Sequence, residues 1–296
     1  MIKNLAWIAW AVLPVLALAL HYGPGQEWLA RDEAAKIAAR AGAAQQVAES
    51  AQERAHDAHL ATFEARKQAF LAGQDPDQPV DPVAGRKLKE LRAAEEVAYD
   101  AAAKAWAQTA DLYLTAAETL DGGRCADALH WAAARARVRS GEVFNGVRAL
   151  QQLLVIQQEA GLGDSPMAGT VREELAAAQY IGARLLREEG RPGTVWREVS
   201  GAARRNYRYL AERRLARAGD ETARLMQRNL EQVLNLEQSD RSQLDGMPLP
   251  RQSPRGRRPG DCEAGSCRGK KPGRGPQKKG RPAQGAGGRM PYGPGW

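Results

Sequence analysis

The 296-residue chain is 43% hydrophobic, but much of that share is alanine, with three Phe against seven Trp and seven Tyr. Because alanine favours helix and buries little area per residue, this composition argues against a globule around one deep core and favours a thin, extended helical protein. The net charge of +8 is uneven: residues 241–296 hold thirteen basic and three acidic residues, a net +10, so the rest of the chain carries −2.

The three cysteines are too few for a disulfide framework. Cys262 and Cys267 form a single CxxxxC pair, and no histidine follows Ala132 to complete the four ligands that a zinc site needs. We therefore expect neither a metal nor another cofactor. Two interpretations of the pair remain open: a local disulfide in an oxidising compartment, or two free thiols.

Residues 1–24 predict a membrane anchor or signal segment. Lys3 precedes sixteen uncharged residues, 5–20, slightly fewer than the roughly 20 of a standard span, which Trp7, Trp10 and Tyr22 at the interfaces would extend. The alternative is a cleaved signal peptide with a small-x-small site at 17–19. The first interpretation predicts a single-pass protein with its bulk outside the cytoplasm, in a bacterial periplasm or cell envelope, and the second a secreted protein.

An Ala-rich, densely charged run without proline predicts one long helix over residues 25–72, with a packing seam shallow enough for a stalk or a loose coiled coil. Residues 73–85, with three prolines and three aspartates, predict a linker or hairpin loop. A second long helix is expected from about Arg86 to Leu120, and the two helices would fold back on each other as an antiparallel pair.

Residues 139–161, RSGEVFNGVRALQQLLVIQQEAG, predict a helix, a tight turn and a second helix. Leu129, Ala133 and Ala136 mark one helix face before the turn. After it, the apolar residues recur at the spacing of one helix face, as Val143, Val147, Leu150 and Leu154. Gly141 lies at the junction, where glycine can take the left-handed conformation that ends a helix.

The stretch 141–154, GEVFNGVRALQQLL, resembles the second half of a tetratricopeptide repeat. The family's glycine, bulky residue and small residue correspond to Gly141, Val143 and Gly146, and Leu150 and Leu153 match its next two packing positions. The preceding helix departs from the pattern, because an arginine, Arg137, stands at the usual aromatic position and the terminal proline is missing. The resemblance implies an α-solenoid-like stack of helix pairs that binds other proteins.

Further helix pairs are predicted after this one. Ser165 and Pro166 are typical of a helix start, Gly190 of its stop, and a partner helix is expected from about Thr194. Gly219 and Asp220 then predict another stop and a cap before a final helix. The predicted fold is therefore all-α: a long helical hairpin followed by tetratricopeptide-like helix pairs over 86–240, with a helical packing that resembles the family over about 120–215.

Residues 241–296 are rich in Pro, Gly, Lys and Arg and almost lack aliphatic side chains. Such a segment cannot bury enough apolar surface to offset the entropy of ordering, so we expect a disordered basic tail. Clustered cations bind polyanions with little sequence selectivity, whether nucleic acid, anionic lipid or wall polymers. The tail's candidate binding residues are Arg257, Arg258, Lys270, Lys271, Lys278 and Lys279.

No pattern for nucleophilic, metal-dependent or phosphate-loop chemistry occurs in the chain. His56 and His59 share a helix face, and we interpret them as a solvated surface rather than as metal ligands. A second candidate binding face lies on the basic, aromatic stretch 196–217, through Trp196, Arg197, Arg204 and Arg208. The sequence predicts a non-enzymatic, membrane-tethered interaction scaffold; the alternative is a polyanion-binding protein acting through its tail. Neither the protein partner nor the oligomeric state follows from the sequence.

Overall fold

The computed structural model describes residues 24–73, 75, 82–120, 122–215, 221–244 and 247–251, together with four isolated positions at 12, 14, 15 and 18. In these residues the fold is all-α, and no strand is present. The helices are α1 (Pro24–Leu71), α2 (Pro82–Glu118), α3 (Gly123–Ser140), α4 (Val143–Glu159), α5 (Pro166–Glu188), α6 (Gly193–Leu215) and α7 (Glu221–Gln238), followed by a short 3-10 turn, Arg241–Gln243.

The predicted hairpin is confirmed: α1 and α2 pack along their lengths as an antiparallel pair. The buried face of α1 carries alanine every seven residues, at Ala41, Ala48 and Ala55. Each of these alanines shares a cluster with one buried aromatic residue of α2, in the reverse order of Tyr113, Trp106 and Tyr99. A bulky ring on α2 opposite each small methyl group on α1 fills the space between the helices, and this explains how so Ala-rich a helix has a stable partner.

Polar side chains fix the register of the hairpin. The indole of Trp106 donates to Gln52 Oε1 at 2.9 Å, and the hydroxyl of Tyr113 donates to Gln45 Oε1 at 2.8 Å. Both aromatic residues are buried, so their polar atoms need such partners. α2 begins at Pro82, earlier than the predicted Arg86, because proline is well accommodated in the first turn of a helix.

The interpretation of His59 as a solvated surface residue is wrong. His59 is only 6% exposed, and its Nδ1 lies 2.7 Å from Glu95 Oε1 on α2, while its Nε2 is buried without a hydrogen-bond partner. The pKa of the adjacent Tyr99 is raised, first because its own phenol is buried and second because the nearby Glu95 carboxylate opposes its ionisation. The interface of the hairpin therefore includes a buried polar pair next to Tyr99 as well as alanine layers.

The remaining helices stack in chain order, each against the next, with an additional contact between α3 and α5. The helix ends agree with the predictions: Gly141 ends α3 in the left-handed region at φ 105°, Ser165 Oγ accepts from the backbone N–H of Ala168 at 3.0 Å to cap α5, and Gly190 follows α5 at φ 75°. The stop predicted at Gly219 and Asp220 lies outside the described residues.

The turn at Gly141 brings α3 and α4 into close contact. A Cβ atom at Gly146 of α4 would lie 2.4 Å from Val138 Cγ2 and 2.9 Å from the carbonyl oxygen of Ala134, both on α3. No side chain fits in that space, so glycine is required for the two backbones to approach this closely. The small residue that the sequence pattern singled out thus has a packing role.

The core of the stack surrounds α5, in which every residue from 173 to 185 is buried. The core continues beyond the predicted boundary at residue 240. Leu244 is 1% exposed, and Met247 and Leu249 pack against the same cluster. In the described residues 241–244 and 247–251, order therefore extends past the predicted start of the tail, because Leu244, Met247 and Leu249 pack on helices that lie far away in the sequence. Residues 252–296 lie outside the described part of the chain.

Within the described residues, no helix combines the length and apolar character that a membrane crossing requires. The segment for which we predict an anchor, residues 5–20, lies outside those residues apart from the four isolated positions.

Candidate peptide-binding site between α5 and α7

Residues 247–251, Met-Pro-Leu-Pro-Arg, lie across α5 and α7 and are called the strap below. Met247 and Leu249 each precede a proline, which restricts both residues to extended backbone conformations. Prolines 248 and 250 have no N–H, so an extended strap presents mainly carbonyl oxygens to the helices. The hydrogen bonds that join the strap to the two helices use three of those carbonyls and the backbone N–H of Arg251, and the side chains of Met247 and Leu249 add apolar contacts with the core.

Three buried side chains form what we call the strap site: Tyr180 and Arg184 on α5 and Asn229 on α7. Arg184 donates to the carbonyl oxygen of Met247 at 3.0 Å, and the Tyr180 hydroxyl donates to that of Pro248 at 3.2 Å. As the strap advances by one residue its contact steps back by one turn of α5, so the strap runs antiparallel to this helix.

The third member of the strap site makes a paired contact. Asn229 donates from Nδ2 to the carbonyl oxygen of Arg251 at 2.7 Å and accepts at Oδ1 from the N–H of the same residue at 3.0 Å. An amide side chain that satisfies both backbone groups of one residue binds main chain in the way that a neighbouring β-strand would. The contact depends on an extended backbone and is indifferent to the side chain of Arg251.

The electrostatics of the strap site keep its donors in the donating form. Burial raises the pKa of the Tyr180 phenol, so the hydroxyl stays protonated. Arg184 is 3% exposed and is neutralised by Glu188, whose Oε1 lies 2.6 Å from its Nε. With its charge paired, the arginine still directs one N–H to the Met247 carbonyl.

A second arginine of α5 orders the chain that leads into the strap. Arg187 donates to the carbonyl oxygens of Leu236 and Ser239 at the end of α7 and so satisfies groups that a helix terminus leaves without partners. Its guanidinium carbon lies 4.8 Å from the ring centre of Trp196. The hydrogen bonds of Arg187 to Leu236 and Ser239 hold the end of α7 against α5, next to the residues that lead into the strap.

The binding face predicted on α6 is largely used for packing within the protein. Trp196 is 6% exposed, and the guanidinium carbons of Arg187 and Arg197 lie 4.8 and 4.9 Å from its ring centre, so little of its surface is open to a partner. Arg204 forms an ion pair with Glu237 of α7, with 2.9 Å between Nη1 and Oε2. Arg208 is exposed and forms no ion pair with the residues that the structure describes.

Two further residues of α6, Tyr209 and Arg213, bind the loop before α5. The Tyr209 hydroxyl donates to Asp164 Oδ1 at 2.8 Å, and Arg213 donates to the same carboxylate. These two hydrogen bonds hold the pKa of Asp164 below its usual value. Arg204 and Arg213 of α6 thus hold neighbouring elements of the stack together, while Arg197, Arg205 and Arg208 are exposed.

The candidate residues of the tail, Arg257 to Lys279, lie outside the described residues, as do Cys262 and Cys267. Across the described ranges, no three or more His, Cys, Asp or Glu side chains come together as metal ligands. Sequence reasoning missed the strap site, because Tyr180, Arg184 and Asn229 belong to no pattern; the only available signal was the Met-Pro-Leu-Pro repeat of apolar residue and proline.

Neither the family models, nor the curated proteins, nor the solved structures contain a match to this chain.

Proposed function

We propose that this protein is a non-enzymatic, membrane-tethered scaffold for protein–protein interactions, in which α3–α7 stack like tetratricopeptide helix pairs and bind a segment of a protein partner. The observation that supports this function best is the strap itself. The helical stack already holds five residues of polypeptide through side chains directed at main-chain groups. Residues 5–20 would provide the tether and place the stack outside the cytoplasm.

The chemistry of the strap site suits recognition of a polypeptide. Its three side chains offer hydrogen bonds to carbonyl oxygens, and the neighbouring core offers an apolar surface to Met247 and Leu249. Main-chain hydrogen bonds supply affinity and pockets for alternate side chains supply selectivity in many peptide-binding proteins. The stacking of each helix on the next also favours this function, since stacked helix pairs form an extended surface that can bind another protein.

The alternative is a polyanion-binding protein in which residues 241–296 act and the helices are a spacer. The net +10 of this segment favours it. The ion pairs of α6 argue against polyanion binding by the helices as well, because Arg204 and Arg213 are already neutralised within the stack.

Selection of peptides from a random phage-displayed library on the full chain tests the proposal. We expect enrichment of peptides whose binding protects amides of α3–α7 from hydrogen exchange and persists when residues 252–296 are deleted. Enrichment of acidic peptides alone, with binding that disappears on that deletion, would support the polyanion alternative instead. A library without any enriched peptide would contradict both.

A further inference from the structure

We infer that the strap is an internal occupant of the partner's site: the strap site takes an extended, proline-containing segment of a partner protein in exchange for residues 247–251. This inference rests on the proposed function and names the chemistry of its ligand. The ligand has an apolar residue before each of two prolines, in the order apolar-Pro-apolar-Pro, and is recognised through its main-chain carbonyls.

The first argument is the nature of the contacts. Of the four hydrogen bonds between the strap site and the strap, every one involves a main-chain atom of the strap. A site that forms its hydrogen bonds only with main-chain atoms can accept another segment that has the same backbone path and apolar residues at the positions of Met247 and Leu249. Two prolines restrict the backbone before binding, so a partner's segment, like the strap, loses less conformational entropy when it becomes ordered.

The second argument is the unequal burial of the two sides. Tyr180 and Asn229 are fully buried and Arg184 is 3% exposed, whereas Pro248 and Arg251 are exposed and Met247 and Leu249 only half-buried. The strap therefore covers three buried polar side chains of the helices while its own outer side stays open to solvent. Leu244, which is 1% exposed, is buried before the strap begins, so the contact of this segment with the core does not depend on Met247 and Leu249 alone.

The third argument is the connection of the strap to α7. Only a short stretch separates Gln238 from Met247, so the strap competes with a free ligand at an effective concentration on the order of millimolar. Competition from the strap therefore lowers the apparent affinity of any free ligand, and a weak ligand does not displace the strap. A partner displaces it by binding more tightly or by presenting several such segments.

The test uses the full chain and a fluorescent pentapeptide, acetyl-MPLPR-amide, in an anisotropy titration. Met247→Asp/Leu249→Asp removes the apolar contacts of the strap and leaves the strap site unchanged. We expect the peptide to bind this double variant at least roughly tenfold more tightly than the wild type. Met247→Leu/Leu249→Met conserves volume and should behave as the wild type, and the reversed peptide, acetyl-RPLPM-amide, should bind neither chain.

A second measurement uses the wild-type chain. Saturating peptide added to the full chain should speed hydrogen exchange at residues 247–251 while α5 and α7 stay protected.

A third measurement tests the contribution of Asn229. Asn229→Leu, added to the double variant, should weaken peptide binding at least roughly tenfold, because the paired main-chain contact is lost.

Equal binding of the peptide to wild type and double variant, or binding unaffected by Asn229→Leu, would overturn the inference. If the wild-type chain is a dimer that the peptide dissociates, the strap site is occupied by the strap of a second copy of the chain, and the inference is overturned. Should library peptides protect α3–α7 while acetyl-MPLPR-amide binds neither chain, the inference fails and the proposed function stands.

Discussion

Asn229 and Arg251 are joined by two hydrogen bonds, one in each direction: the side-chain amide of Asn229 donates to the Arg251 carbonyl at 2.7 Å and accepts from its N–H at 3.0 Å. Asn229 has no exposed surface, whereas Arg251 is exposed. This pair therefore fixes the C-terminal end of the strap to α7.

Replacement of Asn229 by leucine should release the strap. The change conserves volume but removes both hydrogen bonds, each of which contributes about 0.5–1.5 kcal/mol. We expect hydrogen exchange at Arg251 to approach the rate of an unprotected amide, while the helices keep their protection. Asn206→Leu is the matched control, because Asn206 bonds only to Gln179. Release of the strap by the control as well would mean that general loosening of the stack, rather than loss of the Asn229 contact, frees it.

Substitution of Gly141 should destabilise the stack. At φ 105° any L side chain is strained, so Gly141→Val should lower the free energy of unfolding by about 1–3 kcal/mol. The measurement is the urea midpoint followed by circular dichroism. Gly169→Ala in α5 is the control: nothing lies within 4 Å of its added Cβ, and it should be neutral or slightly stabilising. A Gly141→Val chain as stable as the wild type would show that the turn tolerates another conformation.

The ends of the helices were predictable from sequence because their causes are local. A glycine that terminates a helix and a serine that caps one act on groups within four residues, as Gly141 and Ser165 do. The hairpin was predictable for a similar reason, since two long helical runs flank one proline-rich loop.

The burial of His59 and the placement of the strap depend on residues distant in sequence. An Ala-rich helix shows little contrast between its faces, so nothing in 25–72 marks the side that meets Glu95. Residues 247–251 belong to a stretch rich in proline, glycine and arginine that predicts disorder, and their order comes from the core contacts of Met247 and Leu249 and from carbonyl contacts with Tyr180 and Asn229. Composition alone could not reveal either arrangement.

A methyl group at Gly146 should separate α3 from α4. Its Cβ would overlap Val138 and the carbonyl of Ala134, and relief of that overlap requires the backbones to move. We expect Gly146→Ala to lower the free energy of unfolding by about 1–3 kcal/mol in urea denaturation. Gly42→Ala, where the added atom meets nothing within 4 Å, should not destabilise the chain. Equal effects of the two substitutions would contradict the close approach of these helices.

Removal of His59 alone should lower the free energy of unfolding more than removal of both His59 and Glu95. His59→Leu leaves the carboxylate of Glu95, whose side chain is 14% exposed, without its partner, so we expect a loss of about 1–3 kcal/mol. His59→Leu/Glu95→Leu removes both polar groups and should recover most of that loss. Urea denaturation of the three chains measures both effects. A double variant less stable than the single one would show that the pair itself stabilises the hairpin.

The most direct test of whether the helical stack, rather than the tail, binds the partner compares the full chain with a chain that ends at Arg251. Both are applied to an immobilised library-selected peptide and to heparin, in low salt and in about 0.5 M salt, where attraction between exposed charges is largely screened. We expect the shortened chain to keep the peptide in both salts and to lose heparin retention. Loss of the peptide on removal of residues 252–296, with nothing retained by the helices alone, would contradict the proposed function.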